Sequence, residues 1–294
     1  MKKHLKKVLS LVIIATTIAA FSYYLSKHPN TVEQIKHIPP ISILAILVLY
    51  GGSFIAYALV TRASLHIYDK HMGVQENFLF NAYSSLINFF GPGQSGPIFR
   101  GAYLKKRHNL GVKPYIFTLL IYYAFFGVIS VMMMFVGSRP WWQTLILALL
   151  AGTGSIVILK WYRGRSALGA KPKLNLGNIT LIFGATLLQL ALQAVIFGIE
   201  LHNVDPGVSI GQIMSYTGVA NLAIFVALTP GAIGIRESFL LFSQNLHHIN
   251  SSTIVAANVT DRAIYLLFLG ILFVLVISLH AKDKLHVKQI LNNS

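Results

Sequence analysis

Thr229-Pro230-Gly231-Ala232-Ile233-Gly234-Ile235-Arg236-Glu237 interrupts one long apolar run, and Asn88-Phe89-Phe90-Gly91-Pro92-Gly93-Gln94-Ser95-Gly96-Pro97-Ile98-Phe99-Arg100 interrupts another. Both contain Pro-Gly-x-x-Gly followed shortly by arginine. Proline and glycine cannot continue a helix comfortably. Helix breakers at corresponding places in two halves of a membrane protein point to a transport site.

The rest of the chain supplies the membrane context. It is 55% hydrophobic and 11% charged over 294 residues, with a mean hydropathy of +0.65. Soluble domains carry about a quarter charged residues, so the composition indicates a polytopic helical membrane protein, all-α, with no sizeable soluble domain. Cysteine is absent, which excludes disulfides, thiolate metal sites and cysteine nucleophiles. The formal charge of +16 sits in short clusters abutting apolar runs. That is the signature of membrane topology rather than of a nucleic-acid partner.

Apolar runs long enough to cross a bilayer, about 20 residues, occur at 8–26, 41–61, 115–137, 141–159, 178–199 and 254–280. The start, Met1-Lys2-Lys3-His4-Leu5-Lys6-Lys7 before an apolar run, resembles a signal peptide. Ser22-Tyr23-Tyr24 is too bulky for a cleavage site, so a retained first helix is expected. The two interrupted runs, 78–102 and 210–245, are expected to be re-entrant hairpins. The arm from Phe78 to Phe90 would be only about 20 Å of helix, short of the roughly 30 Å hydrocarbon core.

With the N-terminus inside, six full spans and two hairpins place Lys27, Lys36 and Arg139 outside and Arg236 and Arg262 within the membrane. Every other lysine and arginine falls on the cytoplasmic side. That bias predicts a multi-pass protein of the cell inner (plasma) membrane with N- and C-termini cytoplasmic. The order of elements predicts an inverted repeat within one transmembrane domain. Residues 41–137 form the first unit and 178–280 the second, joined by the basic loop Gly164 to Gly177.

Of eight acidic residues, six (Glu200 among them) fall at or beyond the ends of the apolar runs. Glu237 and Asp261 do not, and Arg236 and Arg262 adjoin them. Intramembrane charges are expensive, about 3 kcal/mol each on insertion scales, and mark functional sites. Neighbours on a helix point about 100° apart, so pairing across elements is expected: Glu237 with Arg262, Arg236 with Asp261, or either arginine with a ligand. Adding Arg100 leaves a net single positive charge, suited to an anionic headgroup, whose phosphate oxygens match the guanidinium fork. Asn88, Gln189, Gln193 and Asn258 are further candidate polar lining, with interhelical hydrogen bonding as the alternative role. Pro92, Gly93, Gly96, Pro230, Gly231 and Gly234 form the hairpin tips.

Gly93-Gln94-Ser95-Gly96 matches the G-x-S-G pattern of intramembrane serine proteases, but the histidines lie in loops or near span ends. Paired metal ligands are missing from the apolar runs. No catalytic residue, cofactor or metal is therefore expected, and the chain is not expected to be an enzyme.

The two Pro-Gly motifs, with Arg100, with Arg236-Glu237 and with Asp261-Arg262 in the last span, resemble the lysylphosphatidylglycerol synthase transmembrane-region family over roughly 40–280. Its members are similar to the N-terminal flippase part of the multiple peptide resistance factor, which moves aminoacylated phosphatidylglycerol between leaflets. The resemblance implies functional roles for Arg100, Arg236, Glu237 and Arg262. The sequence stops at Ser294, soon after the last span, and lacks the aminoacyl transferase domain, so lysyl transfer is not expected to carry over. The expected function is a lipid flippase or transporter for a phospholipid or polyprenyl phosphate. The alternative is a non-transporting accessory subunit that presents lipid-linked substrate to a glycosyl- or aminoacyl-transferase. Membrane lipid is the expected partner, with a homodimer or a partner transferase as further candidates.

Overall fold

Inside a bilayer every backbone N–H and C=O must be satisfied within the protein, which leaves the helix as the natural form for long apolar runs. A computed structural model describes residues 26, 38–91, 95–136, 141–165, 171–226, 232 and 235–292, and no strand occurs among them. The elements are α1 (Pro40–His66), α2 (Val74–Phe90), α3 (Ser95–Arg107), α4 (Val112–Phe135), α5 (Trp141–Arg165) and α6 (Leu176–Val204). They continue with α7 (Ile210–Ala223), a 3-10 turn (Ile224–Val226), α8 (Ile235–Phe242), α9 (Gln244–His247) and α10 (Ser251–Asn292).

Five described helices are long and apolar enough to cross a membrane: Pro40–His66, Val112–Phe135, Trp142–Gly164, Leu176–Val204 and Ser251–Leu279. They coincide with five of the six expected spans. The sixth, 8–26, lies outside the described residues except for Ser26. Large apolar side chains such as Ile41, Leu149, Leu176 and Val274 are exposed on the outer surface, as lipid-facing residues would be.

Both interrupted runs fold back on themselves. In the first, the Gly96 N–H donates to Asn88 Oδ1 at 3.1 Å near the tip. At the base, Tyr103 Oη donates to Glu76 Oε1 at 2.7 Å, and His108 Nε2 lies 2.9 Å from the same oxygen. Contacts linking 96 with 88 and 103 with 76 make α2 and α3 an antiparallel hairpin. Gly96 allows the close approach: a Cβ there would sit 2.8 Å from Asn88 Cβ and 2.9 Å from the Ser84 carbonyl oxygen. After α3, Asn109 takes a left-handed φ of 53° and the Leu110 N–H donates to the Leu104 carbonyl at 3.1 Å. This terminating loop buries both leucines.

In the second hairpin α8 packs back on α7. Gln212 Nε2 donates to the His248 carbonyl at 3.1 Å. The His247 ring, buried beside Tyr216, bridges the Leu240 carbonyl and the Ile249 N–H.

The most extensive helix contact is α1 with α6. Ser42 meets Asn203 and Gly52 meets Leu192, so these two helices run antiparallel. The remaining packing is reciprocal. Helix α4 lies on α7, the leading arm of the second hairpin, while α10 lies on α2, the leading arm of the first. Helix α5 packs against α4 and is otherwise largely exposed, which fits the peripheral place expected for 141–159. The connector at 171–175 docks on the end of α1, where the Lys173 N–H donates to the Ile67 carbonyl at 2.8 Å.

A Cβ at Gly218 would lie 2.3 Å from Met134 N and 2.5 Å from the Ser130 carbonyl oxygen, backbone atoms that cannot swing aside. Gly218→Ala is expected to destabilise the detergent-solubilised protein by about 1–3 kcal/mol. Gly152→Ala, with nothing within 4 Å, changes little. Thermal unfolding of the two variants checks this. Partial burial pushes the Glu76 carboxyl up, but the hydrogen bonds from Tyr103 and His108 outweigh it and hold it below its usual value. A carboxyl depressed by folding stabilises the fold above its unfolded pKa and ceases to as pH falls through its folded value. The hairpin base should therefore loosen below about pH 4, seen as faster amide exchange at the end of α3, and Glu76→Gln should remove that dependence.

Candidate functional site

A cavity of about 310 Å³ opens between the two hairpins and the long helices. Its polar lining includes Arg100 from α3, Arg236 from α8, Asp261 and Arg262 from α10, and Gln189 and Gln193 from α6. Asp261 stands ten residues into α10 and Tyr50 ten into α1, about 15 Å along each helix. The site therefore lies well inside the apolar spans.

Two ion pairs connect the second hairpin to α10. Arg236 Nη1 donates to Asp261 Oδ2 at 2.6 Å, and Arg262 Nη2 lies 3.6 Å from Glu237 Oε1. Adjacent residues on α8 thus engage adjacent residues on α10, as the helical angle between neighbours requires. The other oxygen of Asp261 accepts a short hydrogen bond from the Tyr50 hydroxyl, which brings in α1. The Arg236 guanidinium also stacks over the Phe197 ring at 4.8 Å, an arrangement that stabilises a dry cation. Arg236 is 7% exposed and Asp261 3%, so solvent does little to screen their attraction.

Arg100 differs. It is 7% exposed and packs over the Tyr57 ring at 4.6 Å. Among the described residues no carboxylate lies within ion-pair distance of it. Its charge is held in the cavity wall by the Tyr57 face, with the Tyr115, Tyr122 and Tyr123 side chains close by.

The remaining sequence candidates divide. Asn88 lines the cavity while accepting the Gly96 N–H. Gln189 accepts from the Tyr122 hydroxyl at 3.1 Å. Glu237 stays beside Arg262 and outside the cavity lining. Asn258 also lies off the cavity: it is buried, and its Nδ2 donates to Tyr216 Oη and to the Ile254 carbonyl, both at 2.9 Å. Gly96 packs against α2 as described. Pro92, Gly93, Pro230, Gly231 and Gly234 lie outside the described residues. Ala232, at the second tip, lines the cavity with a φ of 59°, a left-handed conformation that costs an L-residue about 1–2 kcal/mol.

Two features escape the sequence reading. Tyr50, Tyr57, Tyr122, Tyr123 and Tyr265 line the cavity, and the only hint is tyrosine far from a span end, where its hydroxyl needs a partner. Glu200, placed at a span end by hydropathy, instead lies inside α6, which continues to Val204, and is 1% exposed. Among the described residues no three His, Cys, Asp or Glu side chains gather as they would around a metal ion.

A family model described as "Lysylphosphatidylglycerol synthase TM region" matches residues 7–272. No curated protein matches the chain. Together with the five apolar helices, the match makes this a multi-pass integral membrane protein.

Breaking one partner of a buried ion pair strands the other charge. Asp261→Asn is expected to destabilise the protein by about 3–5 kcal/mol. Glu237→Gln should destabilise it less, because that pair is looser and Glu237 more exposed. Parallel thermal melts in one detergent check the order.

Proposed function

Because the chain belongs to the lysylphosphatidylglycerol synthase TM region family, we propose that it is a flippase-like lipid transporter of the cell inner membrane. The cavity receives the anionic headgroup of a phospholipid or polyprenyl phosphate while the hydrocarbon chains stay in the bilayer. Its role is binding and passage rather than catalysis, and both termini are cytoplasmic.

We read residues 41–137 and 178–280 as two units of opposite orientation. The antiparallel α1–α6 seam and the reciprocal packing of α4 on α7 and α10 on α2 support that reading. Transporters built from inverted repeats bind substrate near the midplane, where the repeats meet, and alternate access by rocking one repeat against the other. Here the seam and the broken helices bound one cavity.

The observation that carries the proposal is Arg100. A buried guanidinium without a carboxylate partner is expensive, and a phosphate monoester or diester supplies the missing countercharge with matching geometry. The paired arginines complete the recognition. Arg236 and Arg262 each keep an Nε without a hydrogen-bond partner, so each has a donor in reserve.

Purified protein in liposomes carrying tail-labelled phosphatidylglycerol should exchange label between leaflets, read by a membrane-impermeant quencher. Arg100→Ala should slow exchange roughly ten- to hundredfold, the range for losing a charge-assisted hydrogen bond of about 1.5–3 kcal/mol. Arg100→Lys should recover part of the rate. Exchange at the wild-type rate in folded Arg100→Ala protein, or none with wild type for either phosphatidylglycerol or a labelled polyprenyl phosphate, overturns the reading.

A further inference from the structure

Glu200 is 1% exposed, and neither of its carboxyl oxygens has a hydrogen-bond partner. It stands on α6 just past Phe197, the ring on which the Arg236 guanidinium rests. The charged and titratable groups facing it come from four elements: Asp261 and Arg262 on α10, Arg236 on α8, Tyr216 on α7 and Tyr50 on α1. Glu237, the remaining carboxylate of the cluster, is taken up by Arg262.

An ionised carboxylate held dry and unpartnered costs several kcal/mol. A Glu200 without partners is therefore best served by keeping its proton, and an ionised one needs N–H donors drawn to it. The cavity wall and the cluster beside it then hold, taken together, three guanidiniums (Arg100, Arg236, Arg262) and two carboxylates (Asp261, Glu237), one net positive charge. One monoanionic headgroup brings it to zero. Without the anion, loss of the Glu200 proton also brings it to zero, and the unpartnered Nε and Nη2 of Arg236 are available to the new carboxylate. A low-dielectric interior favours both neutral states over any charged one.

Resting on the transport reading above, we propose that Glu200 is the proton-carrying residue of a proton–lipid symport. It is protonated when an anionic headgroup occupies the cavity and ionised when none does, so one proton travels with each lipid monoanion. On release, the Glu200 O–H bond breaks, its proton passes to water on the side where the headgroup leaves, and the carboxylate accepts N–H bonds from Arg236. Uptake reverses each step.

The test uses the full chain in liposomes with tail-labelled phosphatidylglycerol and a pH difference across the bilayer. Wild type should gather label in the leaflet on the alkaline side, with the leaflet ratio shifting by up to about tenfold per pH unit, the limit for one coupled proton. A potassium–valinomycin potential should leave the ratio unchanged, because both carrier states are neutral. Glu200→Gln should lose the response to pH, with whatever lipid movement remains indifferent to the gradient. If that variant does not fold, Glu200→Asp should keep the response with a displaced pH midpoint. Lipid movement by wild type that ignores the pH gradient, or follows the potential, overturns the coupling and leaves the transport reading standing. A folded Glu200→Gln protein that still follows the gradient also removes Glu200 from the role. No lipid movement in any arm overturns both.

Discussion

Burying charge in a medium that cannot solvate it is the constraint around which this molecule is arranged. Six ionisable side chains gather where four long helices and two broken ones meet. The only strong compensation available there is mutual: each guanidinium must find a carboxylate, an aromatic face or an anionic ligand. The Arg236–Asp261 pair is the tightest of these solutions, and it sets the position of α8. That helix is only eight residues long, too short to hold itself in place by its own backbone hydrogen bonds.

The hairpins translate this electrostatic need into shape. A straight helix through the same region would direct its side chains around its whole circumference and end its dipole at the membrane surface. A broken one folds back, and its second arm starts a new helix N-terminus, with its partial positive charge, inside the molecule; at the first of them the Gly96 N–H is taken by Asn88. The glycines at the tight crossings then let helix backbones meet. Gly218 in particular lies against the backbone of α4, so the second hairpin is seated by direct backbone contact.

Much of this is legible in the sequence, for physical reasons. Long uninterrupted apolar runs leave little choice but helix. The Pro-Gly breaks fall between the two arms of each hairpin. The cross-pairing of Arg236-Glu237 with Asp261-Arg262 follows from the angle between neighbouring helical residues. What is not legible depends on which elements pack together. Hydropathy ends the fourth long described helix near residue 199, yet it continues to Val204, and α7 and α10 cover Glu200. Asn258, one turn before Arg262, is expected from that spacing to line the same cavity, but Tyr216 from α7 takes its amide. The tyrosine lining is spread over three helices and shows no common spacing. Sequence periodicity reports the face of one helix at a time, and these features belong to the space between several.

Asp261 has one oxygen on Tyr50 of α1 and the other on Arg236 of α8. A single carboxylate is thus the shared fastening of three separate segments. Any sliding of the first long helix against the short one must therefore strain or break a bond at that one side chain, which makes Asp261 the point where a relative movement of α1 and α8 meets its first resistance.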